Sequence, residues 1–157
     1  MTASLFHDLD WEADIVVLRV HSGVFNNVTW LFSHEEYDPS KYVLEQLGGQ
    51  VNFGRCGSVE YPVFVVSSGF LEGVESRGGL VVVMGCNGLE RNDLGEVLQR
   101  DGVGAVVGWS GSVTVEETDM TVLRLLARVL SGADLASAVD NTGLRVFPTD
   151  ALCFKLG

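Results

Sequence analysis

The chain has 157 residues and carries 21 Asp and Glu against 10 Lys and Arg, a formal charge of -11. That balance argues against a nucleic-acid or anionic-membrane partner, since a phosphate backbone needs a basic patch, and it favours basic peptides. A hydrophobic content of 46% and a mean hydropathy of +0.25 speak for a dense interior, and no apolar run approaches the roughly 18 residues of a membrane span.

The length fits one domain spanning residues 1–157. Residues 1–13 read as an irregular lead-in, and Met1 to Asp14 lacks the basic start and apolar centre of a signal peptide. Cys56, Cys86 and Cys153 are widely spaced, with no CxxC pair. An odd set of cysteines without an export signal suggests free thiols in a reducing compartment, and so a cytoplasmic location.

Ile15-Val16-Val17-Leu18-Arg19-Val20 is an apolar, largely β-branched run that predicts a buried strand over 14–20, ending at His21. Ser22 to Tyr37 reads as a loop with Asn26-Asn27 as a turn signal. Asp38-Pro39-Ser40 opens a short helix that Gly48-Gly49 stops. Residues 50–53 and 60–66 predict strands, and the segment 54–58 between them predicts a hairpin turn. Ser67-Ser68 cap a helix near 69–76. A second apolar run, Leu80-Val81-Val82-Val83-Met84, leads through Gly85 into Cys86. Asn92 or Asp93 begins a helix to about Arg100, and residues 103–109 predict another buried strand.

Thr114-Val115-Glu116-Glu117 has capping-box spacing. The helix after it carries Val122, Leu125, Leu126, Val129 and Leu130 on one apolar stripe, and Gly132 stops it. Residues 134–139 predict a short helix, and 145–147 and 151–154 short strands. Strands alternating with helices predict an α/β fold with a mainly parallel sheet flanked by helices.

A parallel sheet gathers the carboxyl ends of its strands along one edge. His21 and Cys86 each follow such an end, so one edge holds an imidazole and a thiol, the pairing of nucleophilic catalysis. The imidazole acts as base and then as acid, and backbone N–H groups at the neighbouring glycines, Gly23 and Gly85, are placed to approach a substrate closely. Each signal alone has an ordinary structural explanation. A strand-end cysteine is commonly a small buried hydrophobe, and a strand-end histidine commonly makes one satisfied hydrogen bond. No cofactor or metal is expected, and His7 and His34 read as surface residues without a partner at metal-ligand spacing.

The two segments, Asp14 to Gly23 and Leu80 to Gly88, resemble the His and Cys strands of the caspase-type (clan CD) cysteine peptidases. The likeness is nearest to the separase, CHAT-domain and gingipain or clostripain groups. Val103 to Trp109 resembles the strand that follows in those families, and Ser112-Val113-Thr114 with Asp119 resembles the continuation into a long helix. The resemblance covers about residues 14–140. It departs from the family where Ser22 stands between His21 and Gly23, and where only a short lead-in precedes the His strand.

The resemblance implies a caspase-like three-layer sandwich, truncated on its N-terminal side, and a cysteine endopeptidase cleaving after Arg or Lys. His21 would be base and acid, Cys86 the nucleophile, and the Gly23 and Cys86 amides the oxyanion donors. Asp119, with Glu116, Glu117 and Trp109, would form the pocket for the basic residue. Two other functions fit the same residues: a non-catalytic CHAT-like interaction module and a small-molecule thiol hydrolase or transferase. The shortened sheet also points to a homo-oligomer or a further chain completing it.

Overall fold

The structure, a computed structural model, describes residues 1–57 and 60–156. Its elements in chain order are α1 (Leu5–Asp8), β1 (Ile15–Leu18), β2 (Ser22–Phe25), β3 (Val28–Glu36), α2 (Val43–Leu47), β4 (Val51–Gly54), β5 (Val63–Ser67), β6 (Leu80–Val83), α3 (Asp93–Arg100), β7 (Ala105–Gly108), α4 (Val115–Leu130), α5 (Leu135–Val139) and β8 (Arg145–Phe147). Short 3-10 turns cover Ser68–Leu71 and Thr149–Cys153.

The continuous apolar runs become the strands of one sheet, in the order β1-β6-β7-β8. β1, β6 and β7 are parallel, with Ile15 opposite Leu80 and Leu80 opposite Ala105, and β8 joins β7 antiparallel. Every residue of β6 and β7 is buried, as a strand covered on both faces requires. Alternate side chains feed two cores. Val81, Val83 and Val106 face one with Leu94 and Leu98 of α3; Leu80, Val82, Ala105 and Val107 face the other with Val122, Leu125 and Val129 of α4. The chain is thus an α/β protein with a mostly parallel four-stranded sheet and a separate antiparallel one.

That second sheet, ordered β2-β3-β5-β4, is the main departure from the sequence expectation. The stretch Ser22 to Tyr37, expected as a loop, is the β2–β3 hairpin, with Ser22 opposite Leu31 and Phe25 opposite Val28. Asn26 and Asn27 sit at φ 51° and 65°, so both turn residues adopt the left-handed region a tight hairpin needs. The turn signal is local and holds, while the flanking strands mix Ser, Gly and Thr with aromatics and carry no clean strand pattern. The expected 50–53/60–66 hairpin forms as β4 and β5, with Val51 opposite Val66. Ser58 of its expected turn lies outside the described residues.

Four further expectations change. The lead-in is not irregular throughout: Ala3, Phe6 and Trp11 are buried in the core, and the Trp11 Nε1–H donates to the Phe6 carbonyl at 2.9 Å. The helix near 69–76 shrinks to one 3-10 turn, because Ser68 turns its hydroxyl to Asp93 Oδ2 at 2.7 Å instead of capping. Asp93 also receives the N–H and hydroxyl of buried Thr29, at 2.8 and 2.7 Å, and so fastens the antiparallel sheet to the start of α3. Residues 151–154, expected as a strand, lie mostly in the second 3-10 turn. The α4 stripe is shifted as well: Thr118, Val122, Leu125 and Val129 are buried, while Leu130 is 69% exposed.

Glu35 anchors the N-terminal segment to β3. It accepts from the Ala3 amide at 3.0 Å, the Tyr42 hydroxyl at 2.9 Å and Lys41 Nζ at 2.8 Å. Burial pushes its carboxyl up, but the Lys41, Ala3 and Tyr42 hydrogen bonds together hold it below the usual value. A carboxylate lowered in the folded state adds stability above its unfolded pKa, about 4.3, and loses it as pH falls through the folded value. Glu35→Gln should therefore lower the unfolding midpoint in urea at pH 7 and flatten its fall below about pH 4. An unchanged acid limb in the variant would remove this assignment.

Candidate functional site

β1 and β6 run parallel as neighbours, so the residues leaving their carboxyl ends, Arg19 to Ser22 and Met84 to Cys86, emerge side by side. Between them lies a cavity of about 180 Å³, lined by Arg19, His21, His34 and Cys86 and closed by Val113, Val115 and Thr118 at the start of α4. His21 and Cys86, 65 positions apart in sequence, therefore share one cavity, and His21 is exposed to solvent.

Gly85 makes this approach possible. A Cβ there would sit 2.6 Å from the Val20 carbonyl oxygen and closer still to Ser22 Oγ. With only hydrogen in the gap, the Ser22 hydroxyl donates to the Cys86 carbonyl at 2.8 Å and staples the His segment to the Cys segment. Ser22, which interrupts the expected His-Gly pair, is thus a structural tie. On its other side the Cys86 sulfur is 3.4 Å from both the N–H and the carbonyl oxygen of Val113, accepting from the first and able to donate to the second. The loop after β7 is fixed by the Asn87 N–H donating to the Gly111 carbonyl at 2.9 Å, with Asn87 itself at φ 58°.

Gly23 does not reach the cavity. The Phe32 N–H donates to the His21 carbonyl at 2.9 Å, which makes His21 and Phe32 a hydrogen-bonded pair. Antiparallel pairs alternate, so the next hydrogen-bonded pair is Gly23 with Trp30, and the Gly23 amide is committed to the ladder. The Cys86 amide, by contrast, donates to no protein acceptor among the described residues.

The residues expected to read a basic side chain are placed elsewhere, and none lines the cavity. Asp119 is held by both oxygens: Arg19 Nε donates to Oδ1 at 3.1 Å and Arg19 Nη2 to Oδ2 at 3.0 Å. The hydrogen bond from Arg19 and its charge hold the Asp119 carboxyl below its usual value and raise the guanidinium. Glu117 closes the capping box with Thr114, accepting from its amide at 2.9 Å and its hydroxyl at 2.8 Å, and those bonds lower its carboxyl too. Glu116 is exposed in the first turn of α4. Trp109 is 6% exposed and packs in the α4 core, away from this cavity's lining.

His34 is exposed, in keeping with the surface position expected of it, and it also lines the cavity with His21. The strand β3 brings it there, two positions beyond Phe32, which faces His21. Its signal was the alternation Trp30, Phe32, His34 against buried Leu31 and Ser33, legible only once the segment is known to be a strand. Among the described residues, no three or more His, Cys, Asp or Glu side chains are grouped to hold a metal ion, and no helix is long and apolar enough to cross a membrane. Comparison with protein-family models, with curated proteins and with solved structures finds no match to the chain.

Gly85→Ala should cost about 1–3 kcal/mol, the usual penalty of overpacking, because the clash is partly with backbone. It should also change the alkylation rate of Cys86. Equilibrium unfolding and iodoacetamide labelling read the two effects, and an alanine variant of wild-type stability and reactivity would show that the close approach is dispensable.

Proposed function

We propose that the chain is a cysteine peptidase of the caspase-like type, with Cys86 as nucleophile and His21 as base and acid. The observation that supports this most is the shared cavity at the ends of two adjacent parallel strands. The order β1-β6-β7 also suits the resemblance, with the His strand beside the Cys strand and the next strand beyond.

In this reading His21 takes the Cys86 proton, and the thiolate forms a bond to the peptide carbonyl carbon. The Cys86 amide, which donates to no acceptor among the described residues, donates to the oxyanion in place of Gly23. His21 then delivers the proton to the leaving amine as the C–N bond breaks. Water attacks the thioester, releases the carboxylic acid and restores the thiol. A preference for Arg or Lys requires substrate to displace Arg19 from Asp119. That exchange is easy, because both partners are largely exposed, at 60% and 43%, and exposed ion pairs contribute little.

One observation favours a second reading, a non-catalytic interaction module. The thiol can donate to the Val113 carbonyl at 3.4 Å, a contact that suits a protonated, structural cysteine.

An acyloxymethyl ketone carrying Arg distinguishes the two. A peptidase is labelled at Cys86, and His21→Ala slows labelling by about 100-fold or more, the scale of a lost general base. Asp119→Asn weakens labelling by the Arg reagent more than by its norleucine analogue. Labelling no faster than that of a free thiol, and indifferent to His21→Ala, would leave the interaction module standing. A loss seen with His34→Ala alone would move the base to that residue.

A further inference from the structure

The outer face of the antiparallel sheet carries a groove of about 460 Å³, lined by Phe25, Trp30, Phe32, Phe53, Val65 and Asn52, with Gly23 and Gly54 at its base. Phe25 is 67% and Phe53 56% exposed. Among the described residues no charged side chain lines it, and its size falls within the range of about 300–1,000 Å³ of ligand sites. Buried aromatics would be ordinary core, but here they face outward around open space.

The strand register connects this groove to the cavity. His21 pairs with Phe32, Phe32 is opposite Val65, and Val65 is opposite Asn52. One row across the sheet therefore runs from the imidazole into the middle of the groove. Neighbouring strands lie about 4.8 Å apart, so the groove begins one strand from His21. Along β2 the same face continues from His21 to Gly23 and Phe25, and along β3 from Phe32 to Trp30, with His34 beyond Phe32 in the irregular stretch that precedes Glu36. The two depressions are successive parts of a single surface.

We propose that this groove is a substrate subsite that receives a bulky apolar side chain, aromatic or branched aliphatic, two residues from the reacting bond. Alternate side chains of an extended peptide are about 7 Å apart, the distance that carries a chain from the cavity to the groove. The lining fixes the chemistry of the occupant: four aromatic residues and two valines offer apolar contact, and the Trp30 Nε1–H is spent on the Phe25 carbonyl at 3.2 Å. Gly23 sets the depth. A Cβ built there meets nothing within 4 Å, so a larger side chain would project into the groove without strain on the fold. Its expected part in oxyanion binding is thereby replaced by a part in substrate selection. The proposal rests on the reading of His21 and Cys86 as the reacting pair.

The test measures peptide binding by the intact chain carrying Cys86→Ser, using fluorescein-labelled peptides with Arg at the reacting position. Phe or Ala is placed two residues away, on either side. The Phe peptide should bind about tenfold tighter or more on one side, the scale of burying a phenyl ring. Phe25→Ala and Gly23→Val, one widening the groove and one filling it, should each erase that preference. Equal affinities for Phe and Ala, absence of binding, or a preference surviving both substitutions would overturn the proposal. So would a chain that sediments as a dimer dissociated by Phe25→Ala, which would make a second copy the occupant. Failure of the reading beneath it looks different: Cys86 stays unlabelled by the ketone while the Phe preference and its loss in the two variants persist.

Discussion

The contact on which the rest of the arrangement depends is the passage of Gly85 against Val20 and Ser22. Two parallel strands set side by side place their exits close together, but side chains normally hold the two exiting backbones apart. Here the missing Cβ lets one backbone rest on the other, and the Ser22 hydroxyl closes the gap by donating to the Cys86 carbonyl at 2.8 Å. A hydrogen bond of this kind adds only about 0.5–1.5 kcal/mol to stability. Its larger effect is positional. It fixes the backbone on both sides of the cavity, so neither His21 nor Cys86 depends on a free loop for its place.

The same contact couples the two sheets. Only three residues separate β1 from β2, so the chain leaves the parallel sheet and enters the antiparallel one almost at once. His21 falls within that step. It follows the carboxyl end of a parallel strand and is also the first residue of an antiparallel row, through the Phe32 amide on its carbonyl. A residue with both memberships brings the chemistry of a sheet edge onto the face of a second sheet. Asp93 adds a brace, since Thr29 and Ser68 both hydrogen-bond to it from the antiparallel sheet and its following turn.

What the sequence made legible follows the range of the interactions involved. The buried strands showed as unbroken apolar runs, and the capping box of α4 as Thr114 and Glu117 three residues apart, because their causes lie within a few positions. The β2–β3 hairpin was legible at its turn only. Its strands mix Ser, Gly, Thr and His with aromatics that point outward, so the usual polar-out alternation is blurred. The fate of Asp119 was not legible at all. Arg19, its partner, is 100 positions away, and no local pattern announces such a pair. Trp109 is ambiguous in the sequence for a related reason. An aromatic at a strand end suits a pocket wall or a core, and the choice is made by α4 packing over it.

These long-range pairings also bear on how the charge of -11 acts. Near the cavity the carboxylates are already engaged, Asp119 by Arg19 and Glu117 by the start of α4. The nearest groups inside it are two imidazoles, a guanidinium and a thiol, with valines and threonines around them. An acidic excess spread over the surface attracts a basic polypeptide at a distance and raises its rate of encounter, while salt screens the effect beyond about 8–10 Å. If the chain acts on a basic peptide as proposed, recognition at close range would come from shape and apolar contact, or from an incoming cation replacing Arg19. The antiparallel face supplies the first of these, because its outward aromatics begin one strand away from His21. On the proposed peptidase reading, attraction and selection would fall to different surfaces of the chain, joined at the residue that belongs to both sheets.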